Sequence, residues 1–329
     1  MRRREFGTLL AGSSASWSLA ARAQSGPSGK RVGVLVPFLE SDTDAREQVA
    51  AFRGELRRLG WNETLQLETR WAGGDLVRIR MMARELVALH PDAILCRTTP
   101  VARALLAETR EIPIVFVNVS DPVGDGLVAS LARPGGNATG FTNVEDTLGG
   151  KWLELLREVD PAVKRVTVLF DPRTSPGGGT YYVRQIDKAA AALHLTAVPA
   201  AVTSAGDIEQ AIDAAAREPQ GALLVLPDVT TTSHRDLITG LATRHRLPAI
   251  YSSGYFVKGG GLMSYGVEII DLYRRAAGHV DRILRGASPS ALPVQGPLKF
   301  EFAINLKTAR TIGLTVPTTL LSRADETID

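Results

Sequence analysis

The chain has 329 residues, of which 44% are hydrophobic, 22% are charged and 6% are aromatic. Its 38 basic and 35 acidic residues give a net charge of +3, and the whole of this excess lies within the first 23 positions. The rest of the chain is charge-balanced, which argues against nucleic acid as a partner, and it is long enough for two domains of ordinary size.

The first 23 residues predict a twin-arginine export signal. Arg3–Arg4 is followed after one residue by Phe6, a weakly apolar stretch extends to Ala20, and Ala21–Ala23 has the A-x-A pattern of a cleavage site. The apolar stretch is too short to span a bilayer, and no cysteine stands at the cleavage site to carry a lipid. We therefore expect an exported periplasmic protein without a lipid anchor.

Short apolar runs then alternate with helical stripes in which apolar residues recur every three or four positions. The first set predicts strands at residues 32–36, 65–71, 93–96 and 114–117, and the second set predicts strands at residues 166–170, 195–198, 222–226 and 248–251. The second set follows the first at an almost constant offset of roughly 130 residues. This repeat predicts an α/β protein with two similar lobes, each built on a parallel sheet with helices on both faces. Cys96 ends one of the apolar runs, so we expect a buried structural thiol.

The C-terminal part has a different pattern. It predicts a short strand at residues 262–266, a helix at 270–284, an extended connector with three prolines at 289–297 and a last helix at 304–312. A segment with connectors but no third repeat is typical of a chain that crosses between two lobes again.

The predicted strands end in loops that are rich in polar side chains. Ligands of open parallel sheets bind beyond the carboxyl ends of the strands, and two facing sheets form a cleft that a hinge can close. Asp121 and Asp228 occupy comparable loops in the two lobes, and either could hold an ammonium group. The candidate ligand-binding residues in these loops are Phe38, Thr98, Thr99, Asn118, Ser120, Asp121, Asp171, Thr174, Asp228, Ser252 and Tyr255.

Motifs for catalysis or cofactor binding are weak or absent in the sequence. The five histidines are scattered without metal-ligand spacing, and the G-x-S-x-G motif of serine hydrolases does not occur. Gly124, Gly126 and Ala129 match a dinucleotide-binding G-x-G-x-x-A pattern, but Pro122 separates the pattern from the preceding strand. We expect no catalytic residues, no metal and no cofactor.

Several longer runs resemble the ABC transporter substrate-binding protein family that includes the tryptophan- and tyrosine-type binding proteins. The most specific run extends from Asp121 to Gly140, and further matches lie at residues 112–116, 223–228, 245–251, 260–266, 300–309 and 321–326. The resemblance implies a type I periplasmic binding protein, in which two Rossmann-like lobes with parallel sheets are joined by a three-segment hinge. It places the crossovers near residues 141–143, 265–266 and 293–297, with Thr142 and Tyr265 as further candidate site residues at the hinges.

This resemblance also implies a function and a division of the chain. The protein would capture an amino acid or a small aromatic acid between its lobes and deliver it, as a monomer, to an ABC permease in the inner membrane. Residues 30–142 and 266–293 would form lobe 1, and residues 143–265 and 294–329 would form lobe 2. A ligand-sensing module that docks on a membrane receptor is an alternative, and an α/β enzyme is a less favoured one.

Arg97 departs from the family pattern, since we expect a small residue at this position. It could meet a ligand carboxylate bidentately or point to solvent, and we favour solvent.

Overall fold

A computed structural model describes residues 29–62, 64–143, 145 and 147–329. The predicted export signal lies outside these described residues. Within them, no helix combines the length and the apolar character that crossing a membrane requires.

The first sheet has five parallel strands in the order β2-β1-β3-β4-β5. Their bounds are β1 Lys30–Val36, β2 Leu65–Trp71, β3 Ala93–Arg97, β4 Ile114–Val119 and β5 Ala138–Thr142. The intervening helices are α1 Thr43–Arg58, α2 Leu76–Ala88 and α3 Thr99–Glu108.

The second sheet has seven strands in the order β12-β11-β10-β9-β8-β6-β7. Their bounds are β6 Arg165–Phe170, β7 Thr196–Ala201, β8 Gly221–Val225, β9 Ala249–Tyr251, β10 Met263–Val267, β11 Phe300–Asn305 and β12 Glu326–Ile328. The strands are parallel except that β11 runs antiparallel to β10, and β12 runs parallel to β11. The prediction of two α/β sheets is therefore confirmed, with the antiparallel pair as an addition.

The remaining helices complete the layers. They are α4 Leu148–Val159, α5 Thr180–Ala192, α6 Ala205–Arg217, α7 Val229–Ser233, α8 Arg235–Arg244, α9 Gly254–Lys258, α10 Ile269–Leu284, α11 Leu306–Ile312 and α12 Thr318–Leu321. Short 3₁₀ helices lie at Pro176–Gly179 and Pro289–Ala291.

Both faces of the first sheet are covered, because successive strand residues point to opposite sides. Val34 in β1 and Leu95 in β3 contribute to one buried cluster, whereas Leu35 and Cys96 contribute to the cluster on the other face. Cys96 is buried as expected, and this burial raises the pKa of its thiol above the usual range.

The chain passes between the sheets three times. It leaves β5 for α4, leaves β10 for α10, which packs on α1 and β4 of the first sheet, and returns through residues 289–299 to β11. We propose that the lobes join at these passages, with residues 30–142 and 266–293 in lobe 1 and residues 143–265 and 294–329 in lobe 2.

Two parts of the sequence interpretation differ from the structure. The helix predicted at 304–312 is α11, which begins at Leu306 rather than at Ile304. Ile304 pairs with β10 and Asn305 pairs with β12, and the Asn305 side chain accepts a hydrogen bond from Thr308 N at 2.9 Å as the helix cap. The sequence interpretation also does not predict β5, β11, β12, α4, α7, α9 or α12.

Candidate functional site

A narrow cleft lies between the carboxyl ends of the two sheets. Its side chains nearly fill it: the volume open to the centre of a water molecule is about 10 Å³, and the empty space is about 350 Å³ only when the opening to solvent is included. Loops after β1, β3 and β4 form one wall, and loops after β6, β8 and β9 form the other. The lining residues are Phe38, Arg97, Thr98, Thr99, Asn118, Ser120, Thr174, Pro176, Pro227, Asp228, Val229, Thr232 and Tyr255.

Eight of the thirteen sequence-predicted site residues lie on this lining. They are Phe38, Thr98, Thr99, Asn118, Ser120, Thr174, Asp228 and Tyr255. Sequence reasoning did not assign Arg97, Pro176, Pro227, Val229 or Thr232 to the site. Arg97 had one signal, its departure from the family pattern, and Pro227 and Val229 had their positions next to Asp228.

The other five predicted residues do not lie on the lining of the cleft. Asp121 accepts a hydrogen bond from Gly124 N at 2.8 Å in a local turn. Thr142 donates its backbone N–H to Gln295 O at 2.9 Å, and Tyr265 stacks on Phe300 with ring centroids 5.7 Å apart. Asp171 and Ser252 are buried.

The Asp171 carboxylate accepts hydrogen bonds from side chains of its own lobe. The guanidinium of Arg173 donates to both Asp171 carboxylate oxygens, and Thr230 Oγ1 also donates to the carboxylate. Burial opposes ionisation of Asp171, but these hydrogen bonds outweigh it and hold its pKa below the usual range. Its oxygens therefore organise the loops after β6 and β8.

Two lining residues of lobe 1 have unusual backbone conformations. Thr98 has φ 76° and Asn118 has φ 58°, a region that residues other than glycine rarely adopt. Asn118 lies where the pairing of β4 with β5 shifts register, so this irregularity turns the end of β4 toward the cleft. Such strain is characteristic of binding sites, where the surrounding structure holds it in place.

Of the described residues that line the cleft, Arg97 alone is basic, and the prediction that it points to solvent is wrong. The side chain is buried, with the whole residue only 2% exposed. Its Nη1 donates to Gln48 Oε1 at 2.7 Å, and its guanidinium lies 4.7 Å from the centroid of the Phe38 ring. Among the described residues, no carboxylate lies within ion-pair distance of it, and its buried Nε has no hydrogen-bond partner.

Asp228 is the one acidic side chain among the described lining residues. It caps α7 by accepting from Thr231 N at 2.7 Å, and it accepts from Asp171 N at 2.9 Å. Burial raises the pKa of Asp228 to about 6. The cleft thus offers a carboxylate and an unpaired guanidinium on opposite walls.

Direct contacts between the lobes close the cleft. Tyr182 OH in α5 donates to Ser120 Oγ at 2.8 Å, so a lobe 2 side chain holds a lining hydroxyl of lobe 1. At the cleft edge, Arg235 Nη1 lies 2.6 Å from Asp42 Oδ2. No group of three or more metal-ligating side chains occurs in the part of the chain that the structure describes.

Comparison with known proteins agrees with this arrangement. A curated tyrosine-binding protein of Clostridioides difficile is 26% identical over 252 residues, which cover 77% of this chain and 72% of that protein. The crystal structure of an ABC domain from Streptococcus pneumoniae in complex with L-Trp has a TM-score of 0.84 and 26% identity, covering 92% of this chain and 100% of that one. A conserved domain protein from Vibrio cholerae has a TM-score of 0.82 and 28% identity, covering 91% and 99%.

The model of the family described as ABC transporter substrate binding protein matches residues 31–328, almost the whole described chain. That family consists of binding proteins rather than enzymes. A two-lobed α/β fold with a polar cleft at the carboxyl ends of both sheets is the architecture such proteins need. This chain therefore belongs to the ABC transporter substrate-binding protein family.

Proposed function

We propose that this protein captures a small carboxylate-bearing molecule, an amino acid or a small aromatic acid, and delivers it to an ABC permease of the inner membrane. One observation carries the ligand class: the buried Arg97 guanidinium lines the cleft without a carboxylate partner among the described residues. Arginine stays protonated in proteins, and a buried unpaired charge is costly. A ligand carboxylate would compensate that charge.

The other polar groups of the cleft fit the same class of ligand. Thr98 Oγ1 and Thr174 Oγ1, one on each wall, are buried and have no hydrogen-bond partner. Asp228 lies on the lining and can accept a hydrogen bond from an ammonium group. An α-amino acid carries both complementary charges. One relative of this chain is named as a tyrosine-binding protein, and another was crystallised in complex with L-Trp.

Capture would proceed by closure of the two lobes. The Tyr182–Ser120 hydrogen bond and the Arg235–Asp42 ion pair join groups from different lobes, so they form only when the lobes approach. Ligand contacts from both walls would then favour the closed form by mass action. A permease that recognises the closed form would receive only loaded protein.

The proposed place of work is the periplasm. The twin-arginine pattern, the A-x-A site and the absence of a cysteine at that site support export without a lipid anchor. We further propose that the exported protein works as a monomer, since a single chain provides both walls of the cleft.

Thermal unfolding with paired ligands tests the binding proposal. Each acid would be compared with its primary amide, for example L-alanine with L-alaninamide and benzoate with benzamide. A ligand at a hundred times its dissociation constant stabilises by about 2.7 kcal/mol, which raises the unfolding temperature measurably. We expect acids to stabilise the protein and amides to do so much less. Stabilisation by neutral sugars but by no carboxylate would contradict the proposal.

A further inference from the structure

The guanidinium of Arg97 occupies the aromatic part of the cleft. Phe38 and Tyr255 are the two aromatic residues of the lining, and the Arg97 Cζ atom lies 4.7 Å from the Phe38 ring centroid and 6.0 Å from the Tyr255 ring centroid. Aromatic faces attract a guanidinium at such distances. The surfaces on which a ligand ring would stack are therefore already used by a side chain of this protein.

Arg97 is held in this place from several sides. Gln48, which is 4% exposed in α1, accepts its Nη1 hydrogen bond at 2.7 Å. Phe38 is equally buried, and the Tyr255 hydroxyl lies 3.2 Å from Thr232 Oγ1. Swinging Arg97 away would remove the partner of a buried amide oxygen and break the contact with the Phe38 ring, which makes the guanidinium a fixed part of the wall.

The Nε edge of the same guanidinium makes no hydrogen bond with a described residue. Its Nε is buried without a partner, and among the described residues no ion pair involves Arg97. Asp228 shares the lining, but its oxygens accept from Thr231 N, Asp171 N and Ser175 Oγ rather than from Arg97. A carboxylate that reaches Nε would supply the missing acceptor and the missing charge together.

We infer that Arg97 sets the specificity of the cleft: it pairs with the carboxylate of a compact aliphatic acid and excludes an aromatic ring from the space between Phe38 and Tyr255. The inference rests on the proposed function and narrows it. It predicts a ligand different from the tyrosine after which one relative is named and from the L-Trp with which another was crystallised, and it assigns the preference of this chain to a single residue.

Isothermal titration of four proteins tests this assignment. They are the wild type, Arg97→Ala, which removes charge and bulk, Arg97→Met, which removes the charge but keeps most of the bulk, and Arg80→Ala, which removes an exposed arginine of α2 as a control. The aliphatic probes are acetate, L-lactate, L-alanine and succinate, and the aromatic probes are benzoate, L-tyrosine and L-tryptophan.

We expect the wild type and Arg80→Ala to bind at least one aliphatic probe, and both Arg97 variants to lose at least about tenfold in its affinity. Arg97→Ala should also bind an aromatic probe at least about tenfold more tightly than the wild type and Arg97→Met do. If Arg97→Ala does not fold, two measurements still test the assignment: the order of affinities of the wild type for the probes, and the loss of affinity for the aliphatic probe in Arg97→Met.

The possible failures can be told apart. If the wild type binds an aromatic probe as tightly as any aliphatic one, or if Arg97→Ala gains no affinity for aromatic probes, the specificity assignment is wrong while the proposed function stands. If no protein in the set binds any probe, the proposed function fails and the assignment fails with it.

Discussion

Replacing Gln48 with Glu would give Arg97 an internal counter-ion. The Gln48 Oε1 atom already lies 2.7 Å from Arg97 Nη1, so a glutamate in the same rotamer forms a buried ion pair without new geometry. If Arg97 attracts the ligand through its uncompensated charge, the new glutamate compensates that charge before the ligand binds. We expect Gln48→Glu to weaken the binding of carboxylates.

The size of the effect follows from the geometry. Two unit charges about 4 Å apart attract by ~4 kcal/mol at an effective dielectric constant of 20, before the cost of burying the new carboxylate is subtracted. If about half of this attraction must be given up when a ligand carboxylate arrives, the binding free energy falls by ~2 kcal/mol. That loss corresponds to a roughly thirtyfold higher dissociation constant.

Titration calorimetry with the tightest acid probe measures the dissociation constant, and urea unfolding without ligand measures stability. Gln66→Glu, an exposed position in β2, makes the same change of charge away from the cleft and should leave affinity within a factor of about two. The free energy of unfolding of Gln48→Glu should not fall. Unchanged affinity, or equal losses in both variants, would refute the idea that the Arg97 charge anchors the ligand.

Three further predictions concern closure, charge burial and packing. Asp42→Asn retains an oxygen to cap Ala45 N but removes the charge that pairs with Arg235, so ligand affinity should fall about fivefold at low salt. Asp75→Asn makes the same change at the N-cap of α2, where no ion pair is formed with another described residue, and should change affinity little. Equal effects of the two substitutions in titration would contradict the role of the Asp42–Arg235 pair. Burial raises the pKa of Asp228 from 3.8 to about 6, so ionisation of this group in the folded protein costs stability as pH rises between these values. Urea unfolding should therefore show Asp228→Asn gaining up to about 3 kcal/mol on the wild type between pH 4 and pH 7, and a pH-independent difference would disprove this. A Cβ at Gly140, where φ is 155°, would overlap the carbonyl oxygen of Phe116, so Gly140→Ala should lower the unfolding free energy by more than about 2 kcal/mol. Gly240→Ala, in an open position of α8, should raise the unfolding free energy by up to about 1 kcal/mol. Similar effects of the two substitutions would contradict the close packing described around Gly140.

The sequence predicts the buried parallel strands well, because their apolar β-branched runs have few other interpretations. Strand β2 has the predicted bounds, and β1, β3 and β4 differ by one or two residues at an end. Short apolar segments are ambiguous between helix and strand. Residues 304–305 adjoin a helical stripe and suit either structure, and only the pairing of Ile304 with β10 and of Asn305 with β12 makes them part of β11.

The candidate site is predictable to the level of loops but not of side-chain directions. The rule that ligands meet the carboxyl ends of strands identifies the loops that form both walls. Whether a polar side chain faces the ligand depends on its partners. Asp171 is used by Arg173 and Thr230, whereas Thr174 in the same loop keeps a free hydroxyl.

Arg97 shows most clearly why the rest of the site escapes prediction. Its position at the end of β3 can be read from the sequence. Its burial depends on Gln48 in α1 and on Phe38 after β1, two residues distant in sequence that meet it only in the folded lobe. Nothing in the sequence around Arg97 indicates that neighbours from two other elements hide it from solvent.

A crystal structure of the protein with its tightest acid probe tests the central claim most directly. The account predicts the ligand between the two walls, with a carboxylate oxygen within hydrogen-bonding distance of Arg97 Nε and with no ring between Phe38 and Tyr255. A ligand bound outside the cleft, or one whose carboxylate avoids Arg97 while its ring displaces the guanidinium from Phe38, would contradict it.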